Sequence, residues 1–184
     1  MAAAPVTAER YSRVAIAFHW VIAALVTVNL ASGLGSEVVP ALGALFPVHK
    51  AIGITVLLLT VARVGWRLAH RPPPPPATMR AWERASALAV HWALYALLLL
   101  MPLTGWAMAS DPARRYPLTW FGAFDIPYLP VSRAAAGTGH DLHELFGWAM
   151  LLLVALHVGA ALRHHFLLRD PVLRRMLPGR RRED

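Results

Sequence analysis

The chain has 184 residues, of which 57% are hydrophobic and 15% charged, with a mean hydropathy of +0.47. Soluble domains average about 45–50% apolar residues, so this composition calls for lipid as a solvent; the absence of cysteine excludes disulfides, thiolate catalysis, iron–sulfur clusters and thioether-linked cofactors. A formal charge of +8 and a pI near 11.2 are what nucleic-acid binding leaves in a sequence, but the arginines lie in blocks between long apolar runs, which is a membrane-topology pattern and argues for lipid and against nucleic acid as the partner.

Four apolar stretches follow one another: about Val14 to Ala31, Pro47 to Leu68, Ala85 to Ala109 and Leu142 to Leu162. Each is close to the roughly 20 residues that a helix needs to cross a bilayer, and a helix satisfies its own backbone in hydrocarbon. The expected fold is therefore all-α: an integral membrane four-helix bundle, one domain over residues 1–184. The first stretch is interrupted by His19, Trp20 and Asn29 and reads as a retained span, although Ala31-Ser32-Gly33 offers a small-residue site of the kind that ends a cleaved leader.

After the second stretch, Arg71-Pro72-Pro73-Pro74-Pro75-Pro76 predicts a stiff extended linker, because proline fixes φ and cannot continue a helix. Pro102 predicts a kink in the third helix. The segment from Ser110 to Gly139 is rich in proline, glycine and aromatics and is expected to cap the outer face, with Trp120 and Tyr128 at headgroup level. Arg180-Arg181-Arg182 reads as a solvated, lipid-facing cationic tail. With a cytoplasmic amino terminus, the inner segments hold Arg10, Arg13, Arg63, Arg67, Arg71, Arg80, Arg84, Arg163, Arg169, Arg174, Arg175 and the tail, whereas the outer ones hold Lys50, Arg114, Arg115 and Arg133. The positive-inside rule then places both termini in the cytoplasm.

Polar side chains inside membrane helices are costly and mark function by default. His19 lies near the inner end of the first span, His49 near the outer end of the second, and His91 in the inner half of the third. The fourth carries two, His143 near its outer end and His157 nearer its inner end. Fourteen residues at about 100° each fall some 40° short of four turns, so both rings leave nearly one face, about 21 Å apart along the axis. His19 can meet His157 on the inner side and His49 can meet His143 on the outer side, which is what two six-coordinate haems need.

Three other readings stand beside this one. A lone buried histidine is more often bonded to neighbouring backbone, although four at matched depths argue against that. A zinc site lacks partners other than Asp141 and Glu144 at the outer rim. A membrane anchor without a cofactor is the reading from a different class. Gly53, Gly147 and Gly159 lie within four residues of ligand candidates, where a macrocycle must approach the backbone; ordinary close helix packing accounts for them equally well.

Tyr11-Ser12-Arg13 with Phe18-His19-Trp20, then His49-Lys50-Ala51-Ile52-Gly53, resemble the bacterial cytochrome b561 family. So do His91-Trp92-Ala93-Leu94-Tyr95 with Pro102-Leu103-Thr104-Gly105, and Leu142-His143-Glu144 followed by His157 and Arg163-His164-His165. The resemblance covers nearly the whole chain. It implies a multi-pass di-haem electron carrier of the bacterial inner membrane, with His19 and His157 holding the inner haem b and His49 and His143 the outer one. It further implies an oxidoreductase that takes electrons from superoxide on the outer face and gives them to ubiquinone. Lys50, Arg114, Arg115 and Arg133 are the cations available to attract superoxide, and since the outer segments are not net positive, any steering is local. Larger relatives, the cytochrome b subunits of membrane-bound hydrogenases and formate dehydrogenases, imply the alternative of a subunit fed by a partner dehydrogenase or a periplasmic carrier protein. His91, Arg163, His164 and His165 are the candidate contacts to a propionate or to quinone.

Overall fold

The computed structural model describes residues 10–76 and 78–179. Four long helices dominate it: α1 (Arg13–Gly33), α2 (Phe46–Ala69), α3 (Ala81–Ala109) and α4 (Arg133–Leu162), all long and apolar enough to cross a membrane. Local chemistry sets their ends. The Ser12 hydroxyl caps α1 by accepting from the Ala15 amide at 3.2 Å, and short helices at Gly35–Val38 and Pro40–Leu45 lead into α2. α2 stops at Ala69, just ahead of the proline run, where amide donors run out. At the start of α3 the Glu83 carboxylate accepts from the Arg80 amide at 3.0 Å, and the helix runs on through Pro102.

α4 begins at Arg133, well ahead of the expected start near Leu142, because Ser132 accepts from the Ala135 amide and caps it there. Beyond Leu162 the chain widens into a π-helical turn over Arg163–Leu168, ended by Arg169 in the left-handed region at φ 54°.

α1 packs along α2, α2 along α3 and α3 along α4. Their shared centre is small: Ile22, Ile52, Val56, Leu97, Leu98 and Met150. Many large apolar side chains point outward instead, Leu58 at 63% and Leu152 at 61% exposure among them. An apolar girdle on that scale marks a surface meant for lipid.

One end of the bundle gathers the segments before α1, between α2 and α3, and after α4. The Trp20 indole donates to Met176 O at 2.7 Å, Tyr11 N to Arg175 O at 3.4 Å, and Arg175 to Pro74 O at 2.7 Å, while Arg10 bonds Leu177 O. We call this the terminal face. The cationic tail expected at Arg180 to Arg182 lies outside the described residues.

The opposite face is capped by residues 110–132, shorter than the expected 110–139 because α4 takes the remainder. Within the cap Thr119–Trp120 pairs antiparallel with Phe124–Asp125, across a turn that needs Gly122 at φ 75°. Trp120 docks into the bundle, its indole donating to Thr55 Oγ1 at 3.1 Å, and the Tyr128 hydroxyl donates to Tyr116 O within the cap. Lys50 holds Pro117 O, and Trp106 donates to Pro127 O at 2.9 Å.

Candidate cofactor site

The bundle brings the sequence-predicted histidines together two by two. Toward the terminal face the rings of His19 (α1) and His157 (α4) have centroids 6.0 Å apart and planes at 72°. Toward the cap His49 (α2) and His143 (α4) stand 6.1 Å apart, also at 72°. An imidazole nitrogen binds a first-row metal at roughly 2.0–2.1 Å and its ring centroid lies about 1.1 Å behind it, so two rings on opposite sides of one metal have centroids roughly 6.3 Å apart. Both pairs fit that spacing. His91 does not: its centroid is 5.4 Å from that of His157, most of an ångström too near. Among the described residues no three of His, Asp or Glu gather as a metal-ion site. Paired imidazoles therefore suit a cofactor that brings its own in-plane ligands, as a porphyrin does.

Hydrogen bonds fix the tautomer on the capped side. His143 Nδ1 lies 3.0 Å from Met101 O. A carbonyl only accepts, so Nδ1 carries the proton and Nε2 keeps its lone pair free for a metal. Ser32 Oγ lies 3.2 Å from Asn29 O and 3.1 Å from His49 Nδ1; with the hydroxyl proton directed at the carbonyl, His49 donates there too. Asn29 adds a bond from Nδ2 to His49 O at 3.2 Å. Between these groups lies a cavity of about 520 Å³, lined by Asn29, Gly33, His49, Met101, Gly105 and His143 among others. Its volume falls within the roughly 300–1,000 Å³ of small-molecule and cofactor pockets.

Two glycines that the sequence did not link to the histidines allow the rings their positions. A Cβ on Gly105 would stand 2.9 Å from His143 Cε1, and one on Gly33 would stand 3.1 Å from His49 Cε1. Of the three glycines that were singled out, Gly53 and Gly147 line the cavity, whereas a Cβ on Gly159 would meet nothing within 4 Å. Each of the two glycines directly follows a hydroxyl residue, in Ser32-Gly33 and in Thr104-Gly105, and the second pair closes the Pro102-Leu103-Thr104-Gly105 stretch that carried the resemblance.

On the terminal side the surroundings are cationic. Arg63 Nη2 lies 3.4 Å from His19 Nδ1. Arg163 is engaged by the buried Glu83 at 3.1 Å, and His164 is buried against Asp170. His165 Nδ1 is buried without a hydrogen-bond partner.

A bundle of membrane-crossing helices whose facing imidazoles frame a cofactor-sized cavity defines a multi-pass membrane protein of the haem-carrying class. The model of the prokaryotic cytochrome b561 family matches residues 10–179, and the chain belongs to that family. Relatives include cytochrome b561 homolog 2 of Escherichia coli (strain K12), 34% identical over 93% of this chain and 93% of its own length. Cytochrome b562 of Cereibacter sphaeroides is 31% identical over 91% and 94% of the two chains. A protein named probable superoxide oxidase CybB, of Yersinia pestis, is 28% identical over 94% and 98%. Haem b binding, membrane electron transfer and multi-pass residence in the bacterial inner membrane go with this membership.

Proposed function

We propose that the whole chain acts as one cytochrome b561-type unit that carries electrons through two haems b, from superoxide outside to ubiquinone in the membrane, with both termini cytoplasmic. The observation that supports this most is that α4 offers one imidazole at each end of its span, each facing a ring from another helix at a separation suited to one iron. His19 and His157 would hold the inner haem, and His49 and His143 the outer one. When bound, haem iron supplies one-electron carriage between its ferric and ferrous states. The superoxide donor is suggested by the name of the Yersinia pestis relative.

The chain's own residues have separable tasks. Met101 O and Ser32 Oγ orient the two outer imidazoles. Arg114 and Arg115 lie over the rings of Tyr116 and Tyr128, holding positive charge on the cap, where an anion such as superoxide would be drawn. The balanced reaction is two superoxide anions, one quinone and two protons giving two dioxygen molecules and one quinol. Near the terminal face Arg163 and His164 already have carboxylate partners. Of the four candidate contacts to quinone or a propionate, that leaves His91 and His165 without a carboxylate partner among the described residues.

The test is to generate superoxide enzymatically beside the purified protein and a short-chain quinone. Haem reduction and quinol formation, both abolished by superoxide dismutase, are expected. Haems that stay oxidised under superoxide but are reduced by a co-purified dehydrogenase would replace the proposal with the partner-fed alternative.

A further inference from the structure

Arg63 and Arg67 lie one turn apart on α2, and their guanidinium carbons stand 5.4 and 5.9 Å from the centroid of the Tyr95 ring on α3. The ring's electron-rich face holds both cations in place, but it cannot neutralise them. Among the described residues neither arginine has a carboxylate at ion-pair distance; Glu83 and Asp170 are taken by Arg163 and His164. Cations at membrane depth are expected to be paired, so the chain by itself leaves this position short of negative charge.

A contact between Arg63 and a ligand candidate sharpens the point. It donates toward His19 Nδ1 at 3.4 Å, and a guanidinium has no acceptor. An imidazole that binds iron through Nε2 carries its proton on Nδ1. With a metal on His19, Arg63 and Nδ1 would be two donors facing each other, which leaves Arg63 to the Tyr95 hydroxyl or to an acceptor that the chain does not supply. It already lies within electrostatic reach of His19, His91 and His157.

We propose that Arg63 and Arg67, steadied on Tyr95, form a clamp for a pair of anionic oxygens, and that it takes the propionate carboxylates of the haem held by His19 and His157. The inference rests on the two-haem reading above. Two propionates match two guanidiniums in charge, and they leave one edge of the porphyrin as the arginines leave one face of α2. The phosphate of an anionic lipid offers the same acceptor chemistry, so the experiment must separate the two sources.

Holoprotein and the variants Arg67→Gln, Arg67→Lys and Arg63→Gln are prepared in detergent, in zwitterionic nanodiscs and in nanodiscs containing phosphatidylglycerol. Haem is counted per chain, each haem's midpoint potential is titrated, and its loss to apomyoglobin is timed. Removing a cation beside the iron favours the ferric form. Each glutamine variant is therefore expected to lower the potential of one haem, the one that His19→Ala abolishes, in all three media. Loss of that haem should speed up about tenfold or more, as for a charge-assisted hydrogen bond, with Arg67→Lys largely restoring both readouts. Fewer than two haems in the parent protein overturns the two-haem reading together with the clamp. With two haems present, unchanged potentials and loss rates in every medium overturn the clamp alone, and changes confined to phosphatidylglycerol discs overturn the propionate assignment in favour of lipid.

Discussion

His143 is held by a carbonyl and crowded by a glycine, and both contacts come from α3. Met101 O orients Nδ1, while the missing side chain of Gly105 leaves room for Cε1. A methyl group there must displace the ring, and overpacking of this kind costs about 1–3 kcal/mol. Gly105→Ala is expected to lower the haem content of the capped side, seen as a fall of up to one haem per chain with the other haem's spectrum unchanged. His157→Ala should remove one haem and spare the other; loss of both from folded protein would tell against independent pairs. The depths of the four imidazoles were legible in the sequence because helical rise and turn convert numbering into position. Met101, Ser32 and the two glycines were not, because they act on residues of neighbouring helices and spacing along one helix says nothing of what faces it. His91 shows the same limit. Its depth made it a candidate contact to a propionate or to quinone, and the distance between rings, 5.4 against 6.0 Å, is what sets it apart from His19 as a partner of His157.

The centres of all four helices could be read from hydropathy, and the largest difference is the start of α4. Residues 133–141, Arg-Ala-Ala-Ala-Gly-Thr-Gly-His-Asp, are too polar and glycine-rich to count as membrane span, yet a helix needs only a cap and continuity to extend past the lipid. Ser132 supplies the cap. Ser132→Ala should cost about 1 kcal/mol, visible as a lowered unfolding temperature in detergent with haem content intact. The cap over the opposite end was anticipated, but its fastening was not. Trp120 was expected at headgroup level, and its indole also donates to Thr55 of α2. Trp120→Ala should therefore free the cap: faster amide hydrogen exchange at Ile126, which bonds Leu118 O at 2.9 Å, with exchange in the middle of α2 and α4 unchanged.

At the scale of the whole molecule the packing follows from lipid. Side chains such as Leu58 and Leu152 stay outward, and few apolar residues remain to fill the centre, so the helices frame space between them as well as touching. The cavity of about 520 Å³ between His49 and His143 is that space on the capped side, where Asn29 Oδ1 is left buried without a partner. A bundle of this kind is completed by what it binds, and its stability should depend on that cargo. Protein produced under haem limitation is accordingly expected to unfold at a lower temperature than the haem-loaded form, as read by the loss of helical circular dichroism on heating.

The most direct test of the account is the pyridine haemochrome assay on purified protein, set against amino-acid analysis of the same sample. Two haems b per chain is the result the paired imidazoles predict. One per chain, or none, from cells well supplied with haem would contradict it.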